Sequence, residues 1–141
     1  MAAKRSTQEI LNSENETGSI LFVLFIPSVD GMGKALPSGQ DQQMWASAAG
    51  DVLSRLFGGS TQMPPAKGKW LNDKTNKIIT EEIVLVHSYA SETDAENPAK
   101  LTELAKFLHR MGKQTNQGEI GVVIGDVFHR IRKFPLAGVK S

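Results

Sequence analysis

The sequence predicts an α+β fold of the ferredoxin-like kind, a β-α-β-β-α-β sandwich whose antiparallel sheet carries two helices on one face. Three observations carry that expectation. Short apolar runs bounded by Gly and Pro alternate with two longer stretches whose apolar residues recur at helical spacing. The two middle strands follow one another without an intervening helix, as a hairpin requires. Right-handed crossovers then force both helices onto the same side of the sheet.

Each element has its own local reason. Residues 1–18 are polar, with Ile10 and Leu11 as the candidates for core contact, and read as a flexible N-terminal arm with one helical turn. Ile20 to Ile26 is a continuous apolar run between Gly18 and Pro27, which predicts a strand near 19–26 that is apolar on both faces. Pro27, Gly31, Gly33, Pro37 and Gly39 make 27–39 a loop. From about Gln40 to Phe57, the residues Met44, Trp45, Ala48, Ala49, Val52, Leu53, Leu56 and Phe57 line one side of a helix. Gly58 and Gly59 stop it.

A short strand at 60–63 runs into Pro64-Pro65, and Gly68-Lys69-Trp70 extends it at an edge, because prolines cannot donate to a central ladder. Asn72 to Asn76 reads as a turn, and 78–89 as the clearest strand. An acidic loop with Glu92, Asp94 and Glu96 follows. Asn97-Pro98 then opens a second helix over 98–111, with Leu101, Leu104, Ala105, Leu108 and Met111 as its stripe and Gly112 as its stop. A last strand spans 119–131. The chain is thus expected to comprise the arm at 1–18, a single α+β domain at 19–131 and a basic mobile tail at 132–141.

Composition narrows the function classes. The chain has 141 residues, 40% of them hydrophobic and 22% charged, with ordinary globular balance. With no cysteine, disulfides, zinc–thiolate sites, iron–sulfur clusters and thiol catalysis are excluded. The longest apolar run is too short for a membrane span and lies behind a polar, acidic segment unlike a signal peptide, so a cytoplasmic protein with no membrane partner is expected. The net charge of +1 hides a split: residues 1–99 carry 8 basic and 12 acidic side chains, residues 100–141 carry 8 and 3. Lys113, Arg130, Arg132 and Lys133 are the candidates for nucleic-acid contact. No aromatic residues interleave with them for base stacking, and a solvated basic face is the preferred reading.

The order of motifs resembles a group of small bacterial proteins classed as a domain of unknown function. The matching residues are Gly31, Trp45, Gly59 with Thr61, Gly68 with Trp70, Ile79 with Glu82, and Gln117 with Ile120. They cover roughly residues 20–131. The chain departs from the pattern at Pro64-Pro65, in the Lys74–Lys77 turn and in its basic tail. The resemblance implies a ferredoxin-like fold and carries no established activity, so it transfers no catalytic residue.

Candidate chemistry is sparse. Asp30-Gly31-Met32-Gly33-Lys34 lies between a strand and a helix, where a phosphate cradle would. A P-loop, however, needs Gly in place of Ser28 and Ser or Thr in place of Ala35. Gly31, Gly33, Lys34 and Trp70 remain candidates for ligand binding. Glu81 and Glu82 are adjacent on a strand and point to opposite faces, so they cannot pair with each other. Glu82 shares parity with Val84 and Val86, and a carboxylate on a buried face needs a partner or a raised pKa. His87 shares parity with Ile83 and Leu85. Together with Asp126 and Glu82 it is a candidate acid or base, although the strands of His87 and Asp126 should be separated by the first strand.

The three histidines lack metal spacing, and neither a metal nor another cofactor is expected. With no catalytic constellation in view, the leading expectation is a non-enzymatic binding or assembly module with an unknown ligand or protein partner. The alternative is a small hydrolase or phosphodiesterase with an acid/base site on the open sheet face. The apolar character of both strand faces predicts a homo-oligomer, most simply a dimer packed through its sheets.

Overall fold

The central strand is the apolar run, β1 (Ile20–Ile26), paired on both sides, as a strand apolar on both faces must be. In the computed structural model, which describes residues 4–14 and 19–139, the chain order is α1 (Thr7–Leu11), β1, α2 (Gln42–Phe57), β2 (Thr61–Gln62), β3 (Ala66–Asn72), β4 (Lys77–Ala90), α3 (Glu92–Ala95), α4 (Pro98–Gln114), β5 (Ile120–Ile124) and β6 (Val127–Ile131). The sheet runs β2-β4-β1-β5-β6, every pair is antiparallel, and β3 also pairs with β4. That is the ferredoxin-like strand order, extended at one edge by β6 and at the other by the β3–β4 hairpin.

The register separates the two faces. Ile26 stands opposite Val84, Leu24 opposite Val86 and Phe22 opposite Ser88, all buried. Across β5, Leu24 stands opposite Val122. On this face α2 and α4 pack together: Trp45 meets Phe107 at 5.8 Å, Phe57 meets Phe22 at 4.5 Å, and Ala46, Ala49, Leu53, Leu104 and Met111 fill the space between. Asp41 caps α2 through Gln43 N, Gly58 ends it at φ 99°, and Asn97 caps α4 with Pro98 behind it. The opposite face carries Leu21, Val23, Phe25, Ile83, Leu85 and Val123, and no helix among the described residues covers it.

The structure differs from the sequence reading mainly at the edges. The predicted last strand, 119–131, is two strands. Gly125 at φ 66° and Asp126 form a two-residue turn, and Ile124 pairs with Val127. The edge extension expected over Gly68-Lys69-Trp70 is a separate strand, β3, that runs on to Asn72. The acidic loop contains α3, capped by Ser91 Oγ on Asp94 N, with Ala95 inside. Gly112 does not end α4. It is buried in the helix because a Cβ there would come within 2.5 Å of the Phe134 ring.

That contact ties down part of the 132–141 segment. Phe134 meets His109 edge-on at 6.0 Å, and Leu136 N–H donates to His109 Nδ1 at 3.1 Å. The imidazole is thereby held neutral, and burial lowers its pKa. In the 1–18 arm, α1 has a capping box between Ser6 and Glu9 and buries nothing, while residues 1–3 and 15–18 lie outside the described residues. Residues 140 and 141 of the tail do too. No helix among the described residues is long and apolar enough to cross a membrane.

Candidate functional site

β4 presents Ile79, Glu81, Ile83, Leu85, His87 and Tyr89 on the open face. At its beginning, β3 lies alongside with Gly68 opposite Glu81 and Trp70 opposite Ile79, so Trp70, Ile79 and Glu81 share one surface. The chain leaving β1 crosses this end of the sheet. Its Ser28 and Val29 amides and the Trp70 indole N–H address the Glu81 carboxylate. Gly33 has Ile79 beneath it. Glu81 is thus half-buried under the 28–34 stretch, and its Oε2 is buried with no hydrogen-bond partner.

Two influences compete on that carboxylate. Burial disfavours the charged form and dominates, so the Glu81 pKa is raised above its ordinary value; the three N–H donors work against the rise. A carboxyl group that holds its proton more tightly than usual and keeps one oxygen uncommitted is suited to giving or taking a proton, or to meeting a cation.

The other candidates fall elsewhere. Glu82 points to the helix side beyond the start of α2, where Gln42 Nε2 donates to its backbone carbonyl at 3.2 Å, and the residue is exposed. Its cross-strand neighbour is Lys67. His87 lies six residues along β4 from Glu81, about 20 Å at strand rise. It borders a shallow recess with Gly59, Ser60, Thr61, Ser88 and Tyr89. Asp126 sits in the β5–β6 turn, across β1 from β4. No two of Glu82, His87 and Asp126 are brought together. Among the described residues no group of three or more His, Asp or Glu is placed to hold a metal ion.

The glycine loop closes on itself. Asp30 Oδ1 accepts from Met32 N and Lys34 N, both at 2.9 Å, Gly33 N–H donates to Asp30 O, and Gly31 N–H donates to Asn116 O at 2.8 Å. The amides that would cradle a phosphate are occupied, and a carboxylate stands where the anion would sit. Gly31 is there for close approach, since a Cβ would lie 2.8 Å from Gly118 N. Lys34 is exposed. Of the basic residues, Arg130 is on the open face opposite Gly121, Arg132 pairs with Glu119 at 3.0 Å, and Lys113 and Lys133 are exposed at the end of α4 and after β6.

Sequence reasoning passed over Glu81. A parity count places it on the open face, where a carboxylate looks solvated. The signal available was its place opposite Gly68 and beside a Trp-bearing strand, which leaves room for a roof but does not supply one.

No protein-family model matches the chain, and no curated protein matches it. Among solved structures the similarity is to an enzyme class, the S-adenosylmethionine (SAM) lyases of phage. A phage SAM lyase in complex with S-methyl-5'-thioadenosine aligns with a TM-score of 0.60 at 11% identity, over 85% of this chain and 94% of that one. A phage SAM lyase in the apo state aligns at 0.57 and 12% identity over the same shares. At this identity the likeness establishes the fold. It also corrects the leading functional expectation, because both of these structures belong to an enzyme and not to a non-enzymatic binding module.

Proposed function

We propose that this chain is an enzyme whose acid/base centre is Glu81, at the roofed end of the open sheet face, and that its substrate is a nucleoside carrying a sulfonium cation, S-adenosylmethionine, with S-methyl-5'-thioadenosine released. The observation that carries this reading is the half-buried Glu81 with its unpartnered Oε2 beside Trp70. An ionised carboxylate there meets the sulfonium charge or takes a proton from the carbon next to the breaking bond. The indole, fixed by its N–H toward Glu81, offers a flat apolar surface for an adenine ring. When Glu81 takes that proton, the C–H electron pair becomes a carbon–carbon double bond as the bond from sulfur to the aminobutyryl carbon breaks, the pair of the broken bond goes to sulfur, and the neutral thioether leaves beside an unsaturated amino acid.

The fold shared with phage SAM lyase supports the reaction class. The occupied amides of the glycine loop weigh against a phosphodiesterase, which needs donors free for a phosphoryl group. The test is incubation of the full chain with S-adenosylmethionine and chromatographic detection of S-methyl-5'-thioadenosine. Turnover by the wild type, reduced at least 100-fold in Glu81→Gln, is expected. No product from the wild type would remove the reading, and equal turnover by Glu81→Gln would remove Glu81 from it.

The working form is proposed to be a homo-oligomer that covers the open face. Leu21, Val23, Phe25, Leu85 and Val123 form an apolar surface there, away from the roofed Glu81, and a second copy offers a matching apolar surface. Light scattering at low micromolar concentration should give a multiple of the 15.3 kDa chain mass; a clean monomer refutes it.

A further inference from the structure

Gln117 takes no part in the chemistry proposed above, yet it is held at both ends. Its backbone N–H donates to Gly112 O at 2.9 Å, which fixes it to the last turn of α4. Its side-chain Nε2 donates to Val29 O at 2.7 Å and to Thr115 O at 3.3 Å. Val29 is 88 residues away in the chain. It belongs to the stretch whose amides address Glu81. A second bond runs parallel to the first, from Gly31 N–H to Asn116 O at 2.8 Å, and Asn116 adopts φ 52° to present that carbonyl. The α4–β5 turn therefore grips 29–31 on one side while the Ser28 and Val29 amides face the carboxylate on the other.

We propose that Gln117 is a positioning residue for Glu81, acting through Val29: by accepting from Gln117 the Val29 carbonyl is turned toward the α4–β5 turn, and the amides just before it are turned toward the carboxylate. The role rests on the reading of Glu81 as the acid/base centre. Without the Gln117 donor, the Val29 carbonyl loses a partner in a half-buried place and the stretch gains freedom to rotate. The amides then drift from Glu81. Donors aimed at an ionised carboxylate favour its charged form, so their loss makes the group hold its proton more tightly.

The experiment is a carbon-13 NMR titration of the Glu81 side-chain carboxyl in the full chain without substrate. Gln117→Met keeps length and bulk and removes the donor, and Gln117→Ala removes both. Each should raise the Glu81 titration midpoint by about half a pH unit or more. With substrate, kcat should fall while KM holds. If Gln117→Ala does not fold, Gln117→Met still decides the matter. A lowered melting temperature with an unmoved midpoint would make Gln117 merely structural and overturn the proposal. The midpoint is read without turnover, so absence of lyase activity would overturn the functional reading and leave this result distinct.

Discussion

Glu81 and His87 project from the same side of β4, and they live in different surroundings. At the β3 end, Glu81 lies under the 28–34 stretch, with three N–H groups turned to it and one oxygen sealed without a partner. At the other end, His87 borders an open recess, with Thr61 opposite on β2, Val23 opposite on β1 and Tyr89 edge-on at 6.3 Å. Both project from the same strand on the same side. The difference comes from a loop, and it teaches that cover, rather than residue type or strand parity, sets the proton chemistry of a sheet face.

The largest test of this contrast adds one methyl group to a glycine at each end. Gly31 packs backbone against backbone, and its Cβ would meet Gly118 N at 2.8 Å and Asn116 O at 3.1 Å. Gly59, which borders the His87 recess, has nothing within 4 Å of its Cβ position. Gly31→Ala should cost about 2–3 kcal/mol in chemical denaturation, because neither backbone can yield without moving the loop. Gly59→Ala should stay within about 0.5 kcal/mol. Equal costs would mean that the roof over Glu81 is soft.

Much of the contrast's framework was legible in the sequence, and its decisive part was not. The apolar run of β1, the stripes of α2 and α4 and the capping Asn97-Pro98 are local signals, and each led to the right element. Gly125-Asp126 is a hairpin signal masked by the apolar residues that continue on both sides of it. Gly112 looked like a helix stop because the sequence cannot show Phe134 arriving from beyond β6. Parity assigned Glu81 and Glu82 to opposite faces and placed Glu82 with Val84 and Val86. It could not show that the helix cover ends short of Glu82, or that Ser28 and Val29 cross over to Glu81 from fifty residues earlier. Periodicity records which way a side chain points, and long-range contacts determine what it meets there.

A smaller effect, with a definite sign, is expected from Glu81→Gln in stability. The folded-state pKa of Glu81 is raised by burial, so the unfolded chain gives up this proton at lower pH than the folded one. The protonated group's contribution is fully present below the unfolded value, about 4.3 to 4.5. It is lost as pH rises through the raised folded value. Glutamine cannot ionise and escapes that loss. The variant should therefore melt higher than wild type at pH 7 to 8, and the gap should close near pH 4. A gap of constant size across that range, or one that widens in acid, would mean that the folded carboxyl is not held toward its protonated form.

The smallest effect belongs to the other end. His87→Gln replaces a ring that touches Tyr89 edge-on, and Tyr89 is 59% exposed, so the contact is bathed in water. An aromatic pair is worth about 0.5–1.5 kcal/mol beyond its buried area, and water at one ring places this pair at or below the low end. Among the described residues the His87 ring has no hydrogen-bond partner to lose, and its cross-strand neighbours Thr61 and Val23 keep their own ladder bonds. The variant should unfold within about 0.5 kcal/mol of wild type. In the assay of the proposed lyase reaction, its turnover should be close to that of the wild type. If His87→Gln instead abolishes turnover while Glu81→Gln retains it, the active end of β4 is the open one, and the roofed carboxyl becomes a structural acid.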